Sequence, residues 1–411
     1  MNSTSTAEPG GTDSTYAWVR LGISMLISTI GGVGFWSGVV VLPVVQANFG
    51  VDRAAASLPY TLTMIGLGAG GVLMGKLSDR FGITVPVAIG AVLLGLGYVA
   101  SGYAGNIWLF ALAHGVLIAI GGAAMFGPVM ADISHWFTRR RGIAMALCAV
   151  GNALSGTLWP PLVQYLVETT GWRGTHIFIG LFCAATLLPL AFVLRRRAPH
   201  FAVGAIQSVP RTTPAALGLS PRALQSMLAV AGVACCVAMS MPQVHIVAYC
   251  GDLGYGVASG ARMLSLMLGF GIISRVGFGL MADRIGGLGV MLMSSLLQAT
   301  ALMLYLGFSS LTSLYVVSAL FGLFQGGLVP SYAIVVREYF PAREAGTRVG
   351  MLIMATLFGM AFGGWFSGVI FDFTGSYHAA FANGVLWNVL NAGIVVFLLL
   401  RAGRGPRLVP A

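Results

Sequence analysis

Only 22 of the 411 residues are Lys or Arg and only 11 are Asp or Glu, so each charged side chain can be asked what it does. Arg275 is the first. It stands in Met267-Leu-Gly-Phe-Gly-Ile-Ile-Ser-Arg275-Val-Gly-Phe-Gly, with no acid at comparable depth in any apolar run. A guanidinium offers a planar fork that meets a carboxylate with two hydrogen bonds. The natural partner for such a lone cation is an anion brought from outside, one carboxylate for one Arg; the alternative is an Arg bonded to backbone carbonyls or snorkelling to the surface. His245, in Met241-Pro-Gln243-Val-His245, can load and release a proton near neutrality, because an unperturbed imidazole titrates at about 6.5. A satisfied core histidine is the alternative there, and His114 is a second candidate. Asn152, Gln243, Tyr332 and Phe126 are polar or aromatic residues in apolar stretches and are candidates to line a small-molecule cavity; each can equally be packing, and Asn152 can be helix–helix glue. Asp79-Arg80 and Asp283-Arg284 sit in two copies of one motif, Gly75-Lys-Leu-Ser-Asp79-Arg80-Phe-Gly82 and Gly279-Leu-Met-Ala-Asp283-Arg284-Ile-Gly286. We read both as loops whose charges pair and unpair in gating, against the plainer reading of a solvated loop held for topology.

Catalysis finds no support. There is no Ser/His/Asp set, no G-x-x-x-x-G-K-[ST] phosphate loop and no metal-ligand spacing. No cofactor, no metal and no direct nucleotide-driven pumping are expected, and the chain is not read as an enzyme.

The elements that carry these residues must cross a membrane. Hydrophobic residues make up 57% and charged residues 8% of the chain, where a soluble domain has about 25% charged. The mean hydropathy is +0.89. The 58 glycines fall in apolar runs without a G-X-Y period, as expected where helix backbones approach closely. A span needs about 20 apolar residues. Twelve stretches qualify, roughly 18–46, 57–78, 83–103, 107–131, 142–166, 174–194, 223–250, 258–282, 288–308, 312–336, 346–371 and 378–400. This predicts an all-α membrane protein of twelve transmembrane helices in two six-helix bundles, 18–194 and 223–400. A linker at 195–222 and tails at 1–17 and 401–411 complete the chain. The first tail is expected to be disordered and is not read as a signal peptide.

The net charge of +11 would suggest nucleic acid in a soluble chain, but these cations lie in short loops and read as topology determinants. Arg139, Arg140, Arg141, Arg195, Arg196, Arg197, Arg337 and Arg343 fall on the side of both termini. Arg53, Arg173 and Arg262 fall on the other, and Arg20 sits at the mouth of the first span. Both termini are therefore expected in the cytoplasm, with the protein in a cell inner membrane. The five cysteines read as small buried hydrophobes.

The two halves repeat. Asp283 follows Asp79 by 204 residues, Pro330 follows Pro128 by 202, and Tyr339-Phe340 follows Trp136-Phe137 by 203. A near-constant offset implies two bundles related by an axis along the membrane normal, with a site between them near the midplane. The doubled motif and the twelve spans resemble the major facilitator superfamily. His135-Trp136-Phe137-Thr-Arg139-Arg140-Arg141-Gly142-Ile-Ala144, Gly171-Trp172-Arg173, Asp372-Phe-Thr-Gly375-Ser-Tyr377 and Arg275 resemble its monocarboxylate porter branch, to which oxalate/formate exchangers are related. The likeness runs from Trp18 to Arg401.

The chain departs from that branch in three places. Gly271 stands where mammalian-type members carry a proton-coupling Asp four residues before the Arg. Span 1 has no Lys, and span 11, where the related oxalate exchanger has a second basic residue, has Arg348 only at its entry.

The resulting expectation is a secondary transporter of small monocarboxylates such as lactate or pyruvate, proton-coupled and working by alternating access. Arg275 would hold the carboxylate, and Asn152, Gln243, Tyr332 and Phe126 would shape the cavity. His245 would carry the proton, and the two Asp-Arg pairs would gate. An organic-anion exchanger, or a non-transporting membrane sensor or partner-binding protein on the same fold, stays open. The expected partners are a small organic anion, protons and the lipid bilayer. Nucleic acid is not among them, and the protein is expected to be a monomer.

Overall fold

The computed structural model describes residues 12–196 and 217–402. Most of the expected linker and the outer parts of both expected tails lie outside them. The described residues are helical, with no strand among them.

The elements are α1 (Thr15–Gly31), α2 (Val33–Phe49), α3 (Arg53–Phe81), α4 (Thr84–Gly102) and α5 (Ile107–Leu112), then a π-helical stretch at Ala113–Ile118. These are followed by α6 (Ala119–Ala123), α7 (Gly127–Trp136) and α8 (Arg141–Val193), and after the linker by α9 (Pro221–Asp252) and α10 (Val257–Gly307). The chain closes with α11 (Leu311–Gln325), α12 (Leu328–Tyr339), α13 (Ala342–Thr374) and α14 (Tyr377–Ala402).

Among the described residues, ten continuous runs are long and apolar enough to cross a bilayer. Two of them, 51 residues each, would reach about 77 Å at 1.5 Å per residue, against a hydrocarbon core of about 30 Å. Each is broken by one glycine in a conformation no helix allows: Gly171 at φ 71° and Gly286 at φ 72°. Divided there, the ten runs give twelve segments, matching the sequence count. The large apolar side chains left exposed, such as Trp108, Leu181, Leu280 and Leu386, suit a lipid solvent.

The helices fall into two units. One holds the described residues up to Gly50 and from Leu58 to 196; the other holds Val51–Ser57 and the described residues from 217 onward. In the first, α1, α2 and α4 pack on α8. In the second, α13 and α14 pack on α9, and α11 packs on α10. Both use the same spacing device. A Cβ on Gly66 of the second span would overlap the Gly115 carbonyl oxygen of the fourth, and a Cβ on Gly322 of the tenth would overlap the Met267 carbonyl oxygen of the eighth. Glycine there lets backbones touch where dispersion, without a hydrophobic driving force, must hold helices together.

Two expectations need correction. The Asp-Arg motifs are not loops. Residues 75–81 are the last turns of α3, and 279–285 are helical up to Gly286. The second glycine of each motif, Gly82 at φ 81° or Gly286, supplies the left-handed residue that stops the helix. Nor do Gly75 and Gly279 mediate close approach, since a Cβ on either would meet open space. The bend in spans 4 and 10 falls close to Pro128 and Pro330. It lies just ahead of them, at 124–126 and at Gly326-Gly327, and each proline occupies the first turn of the following helix, where its missing N–H is harmless. Finally, the last residues of the expected disordered tail are structured. Ser14 caps α1 by accepting from the Ala17 N–H at 3.3 Å, and Asp13 accepts from Thr138 Oγ1 at 2.7 Å.

Candidate substrate and proton site

The break in span 10 determines where Arg275 stands. An interrupted helix leaves carbonyls and N–H groups without intrahelical partners. Ser274 supplies both missing partners: its hydroxyl donates to the Leu323 carbonyl at 2.6 Å and accepts the Gly326 N–H at 3.1 Å. Arg275, the next residue, is thereby fixed beside the break. Its side chain is exposed and makes no hydrogen bond, ion pair or ring contact among the described residues. At the same break, Gln325 is buried and accepts a 2.9 Å hydrogen bond from Gln243 Nε2 of α9. Tyr332 lies two turns further on, buried, with its hydroxyl donating to Cys235 Sγ at 3.4 Å. In the second unit Arg275 and Gln325 therefore stand at one helix interruption, with Gln243 bonded to Gln325 and Tyr332 two turns further along.

The first unit repeats the device. Ser28 Oγ donates to the Met125 carbonyl at 2.7 Å, at the break of span 4, where Phe126 is half-buried in a non-helical conformation. Thr29 Oγ1 donates to the Gly151 carbonyl at 2.9 Å, and Trp159 Nε1 donates to the Thr29 carbonyl at 2.8 Å. Asn152, next to Gly151, is half-buried with its amide unbonded among the described residues. Asn152 and Phe126 thus flank the end of α1, held there by Ser28 and Thr29. Trp159 is buried in this contact.

His245 is fully buried, and both ring nitrogens are engaged. Nε2 lies 2.8 Å from the Gly364 carbonyl and Nδ1 lies 3.0 Å from the Tyr377 hydroxyl. A carbonyl only accepts, so Nε2 carries the proton and Nδ1 presents its lone pair to the Tyr377 O–H. Tyr377 also accepts from Arg53 Nη1 at 2.9 Å, and Arg53 Nη2 pairs with Asp252 at 3.1 Å. The Asp372 carboxylate accepts the N–H groups of Arg53 at 2.9 Å and Ala54 at 2.8 Å, capping the first turn of α3. Sequence reasoning took Arg53 for a topology charge and missed this cluster. Its signal was Asp372-Phe-Thr-Gly375-Ser-Tyr377. Gly375, at φ 65°, ends α13 and sets Tyr377 at the start of α14.

Two further clusters were also missed. Arg20, expected at the mouth of span 1, is fully buried and forms a bidentate pair with Asp132 at 2.7 and 2.9 Å. His114, the second proton candidate, is buried with its ring 5.6 Å from that of His176, among Tyr98, Phe110 and Trp172. Asp79, Arg80, Asp283 and Arg284 are exposed at their helix ends, and neither carboxylate is in an ion pair among the described residues. No group of three or more potential metal ligands occurs among the described residues.

Comparison with known proteins agrees with this architecture. The family model of the Major Facilitator Superfamily matches residues 24–303 and 276–410. Monocarboxylate transporter 13 of Bos taurus is 28% identical over 334 residues, covering 78% of this chain and 75% of its own length. An MFS-type transporter, pynF, of Aspergillus niger is 24% identical over 405 residues, 97% of this chain and 91% of its own. Human monocarboxylate transporter 6 is 34% identical over 187 residues, 44% of this chain. In fold, the chain is similar to the crystal structure of a bacterial homologue of the human lysosomal transporter Spinster, with TM-score 0.69 and 16% identity over 95% of this chain and 96% of that one.

Proposed function

The chain belongs to the major facilitator superfamily, a family of membrane transporters and not of enzymes, and from that premise we propose that it carries small monocarboxylates of the lactate and pyruvate kind, coupled to protons, by alternating access. Arg275 is the observation that carries this reading. A cation at mid-span costs about 2.5–3.5 kcal/mol on insertion scales, and Arg275 is exposed there with no acid to offset it. Such a side chain is tolerable only where its exposed face meets water, and it becomes useful when an anion arrives. Gln243 and Tyr332 in the same unit supply polar edges, and Asn152 and Phe126 are the corresponding contributions of the first. The similarity to proteins named monocarboxylate transporters supports the same substrate class.

In this reading Arg275 binds the carboxylate and His245 handles the proton, standing in for the acid that Gly271 replaces. The Asp79-Arg80 and Asp283-Arg284 helix ends gate the cytoplasmic side, where both termini lie. The protein works as a monomer in a cell inner membrane.

The test is uptake of radiolabelled lactate and pyruvate into proteoliposomes, with and without an inside-alkaline gradient, beside Arg275→Ala. Accumulation that follows the gradient and disappears in the variant is the expected result. Uptake unchanged by Arg275→Ala removes the anion assignment. Movement only into acid-preloaded liposomes, indifferent to the gradient, turns the reading to an exchanger.

A further inference from the structure

Two buried arginines in this protein are seated very differently. Arg20 uses all five of its N–H donors. Nε and Nη2 go to Asp132, Nη2 also to the Leu194 carbonyl, and Nη1 to the Tyr16 hydroxyl and the Arg196 carbonyl. Arg53 is nearly as buried, but its side chain has placed Nη1 on Tyr377 and Nη2 on Asp252, while Nε is buried without a partner. A buried donor left unmade is costly. Arg20 is fully engaged, whereas Arg53 keeps a buried donor unmade.

What holds Arg53 there is directional. Tyr377 accepts from Arg53 and gives its own proton to His245 Nδ1, and His245 gives its Nε2 proton to Gly364. The link from the Tyr377 O–H to Nδ1 requires His245 to be neutral, whereas the Nε2 bond to Gly364 does not. The groups that face His245 are few. Tyr377 comes from α14, the Gly364 carbonyl from α13 and Arg53 from the start of α3. Tyr249 lies on its own helix, its ring 5.5 Å from that of Tyr377. Asp252 and Asp372 reach it only through Arg53.

We propose that His245, Tyr377 and Arg53 form a proton-operated latch within the second unit, in which a proton on His245 unseats Arg53 and frees the first turn of α3 from Asp372. This rests on the proton-coupled reading above and names the residues through which coupling acts. In the proton step, a proton from water adds to the Nδ1 lone pair and the Tyr377 O–H hydrogen bond to Nδ1 is given up. No covalent bond breaks, Tyr377 keeps its own proton, and the added proton returns to water when Nδ1 is released. Once charged, His245 donates from both nitrogens and directs a cation at the same phenol oxygen that Arg53 holds. Two like charges then flank one oxygen in a buried site where water screens little. Arg53 is the one with donors already unmade, so it yields. The latch closes again when the proton leaves.

The experiment follows amide hydrogen exchange of the 51–57 segment in the full chain in nanodiscs at about pH 4.5 and about pH 7.5, spanning the ordinary imidazole range, with rates corrected for intrinsic pH dependence. The N–H groups of Arg53 and Ala54, protected by Asp372, are expected to exchange at least about tenfold faster at the lower pH, as for a locally opened segment. In His245→Gln they stay slow at both. In Tyr377→Phe, which unseats Arg53 without a proton, they are fast at both, and in His378→Gln, an exposed histidine on α14, the response is intact. Equal protection of the wild type at both pH values, or a pH response surviving in His245→Gln, overturns the latch. In proteoliposomes, Tyr377→Phe is expected to lose gradient-driven lactate accumulation by about tenfold or more while lactate–lactate exchange persists. A wild type that moves no monocarboxylate defeats the functional reading, and the exchange rates then decide the latch alone. Transport with unresponsive exchange rates defeats the latch and leaves the function standing.

Discussion

Replacing Arg20 by Ala removes a buried charge whose five donors are all used, and the cost follows from its surroundings. Arg20 is 1% exposed and its Asp132 partner 10%. The guanidinium also stacks at 4.7 Å over Trp136 and closes the C-terminal carbonyls of α8 at Leu194 and Arg196. Removing one partner of a buried, hydrogen-bonded pair costs about 3–5 kcal/mol, chiefly because the other charge is left buried and alone. For a unit of this size, 1 kcal/mol corresponds to roughly 2–4 °C in melting temperature, so Arg20→Ala should melt on the order of 6–20 °C below the wild type. Heating detergent-solubilised protein and measuring the fraction that remains monodisperse by size-exclusion chromatography gives the midpoint. If the stranded carboxylate is the main cost, Arg20→Ala with Asp132→Ala should recover part of the loss. Arg20→Lys should recover little, since an ammonium offers three donors where five are used. A shift of a degree or less for Arg20→Ala, or a double variant as unstable as the two singles added together, would refute this account.

Further outcomes follow from other contacts. Gly66→Leu should abolish folding, because its side chain would overlap the Gly115 carbonyl and Ala119, whereas Gly71→Leu, with open space around it, should express normally; membrane yield of tagged protein compares them. Arg275→Lys should keep measurable uptake yet bind substrate about tenfold more weakly, having lost the planar fork, and competition by unlabelled acid reads this. Asp13 lies outside the spans. Burial alone would raise its pKa, but hydrogen bonds from the Thr138 side chain and from the backbone N–H groups of Arg139, Thr138 and Arg140 hold it below 3.8. A depressed carboxylate contributes stability above its unfolded value and loses it as pH falls through the folded one. The contact between Asp13 and 138–140 should therefore be unaffected from neutrality down to about pH 4 and loosen only below that. Amide exchange at Thr138 and Arg139 measures it, and Asp13→Asn should remove the acid-dependent step.

The sequence by itself determined the spans, the doubling and the isolation of Arg275, because each depends on counting along the chain. Twelve apolar runs of bilayer length and an offset near 203 residues survive whatever the helices later touch. The glycines that end helices were also visible, although only the fold showed that Gly82 and Gly286 make the turn while Gly75 and Gly279 do not. Tertiary structure decided which polar groups meet. Arg20 and Asp132 are 112 residues apart, Arg53 and Tyr377 are 324 apart, and Gln243 and Gln325 are 82 apart. Nothing local in sequence distinguishes a cation destined for a buried carboxylate from one left in a loop, which is why Arg53 read as a topology charge. In the membrane, a polar group must find its partner wherever packing brings one within reach. That choice is made by helix adjacency, so the pairing of residues far apart in the chain was settled only when the helices were in place.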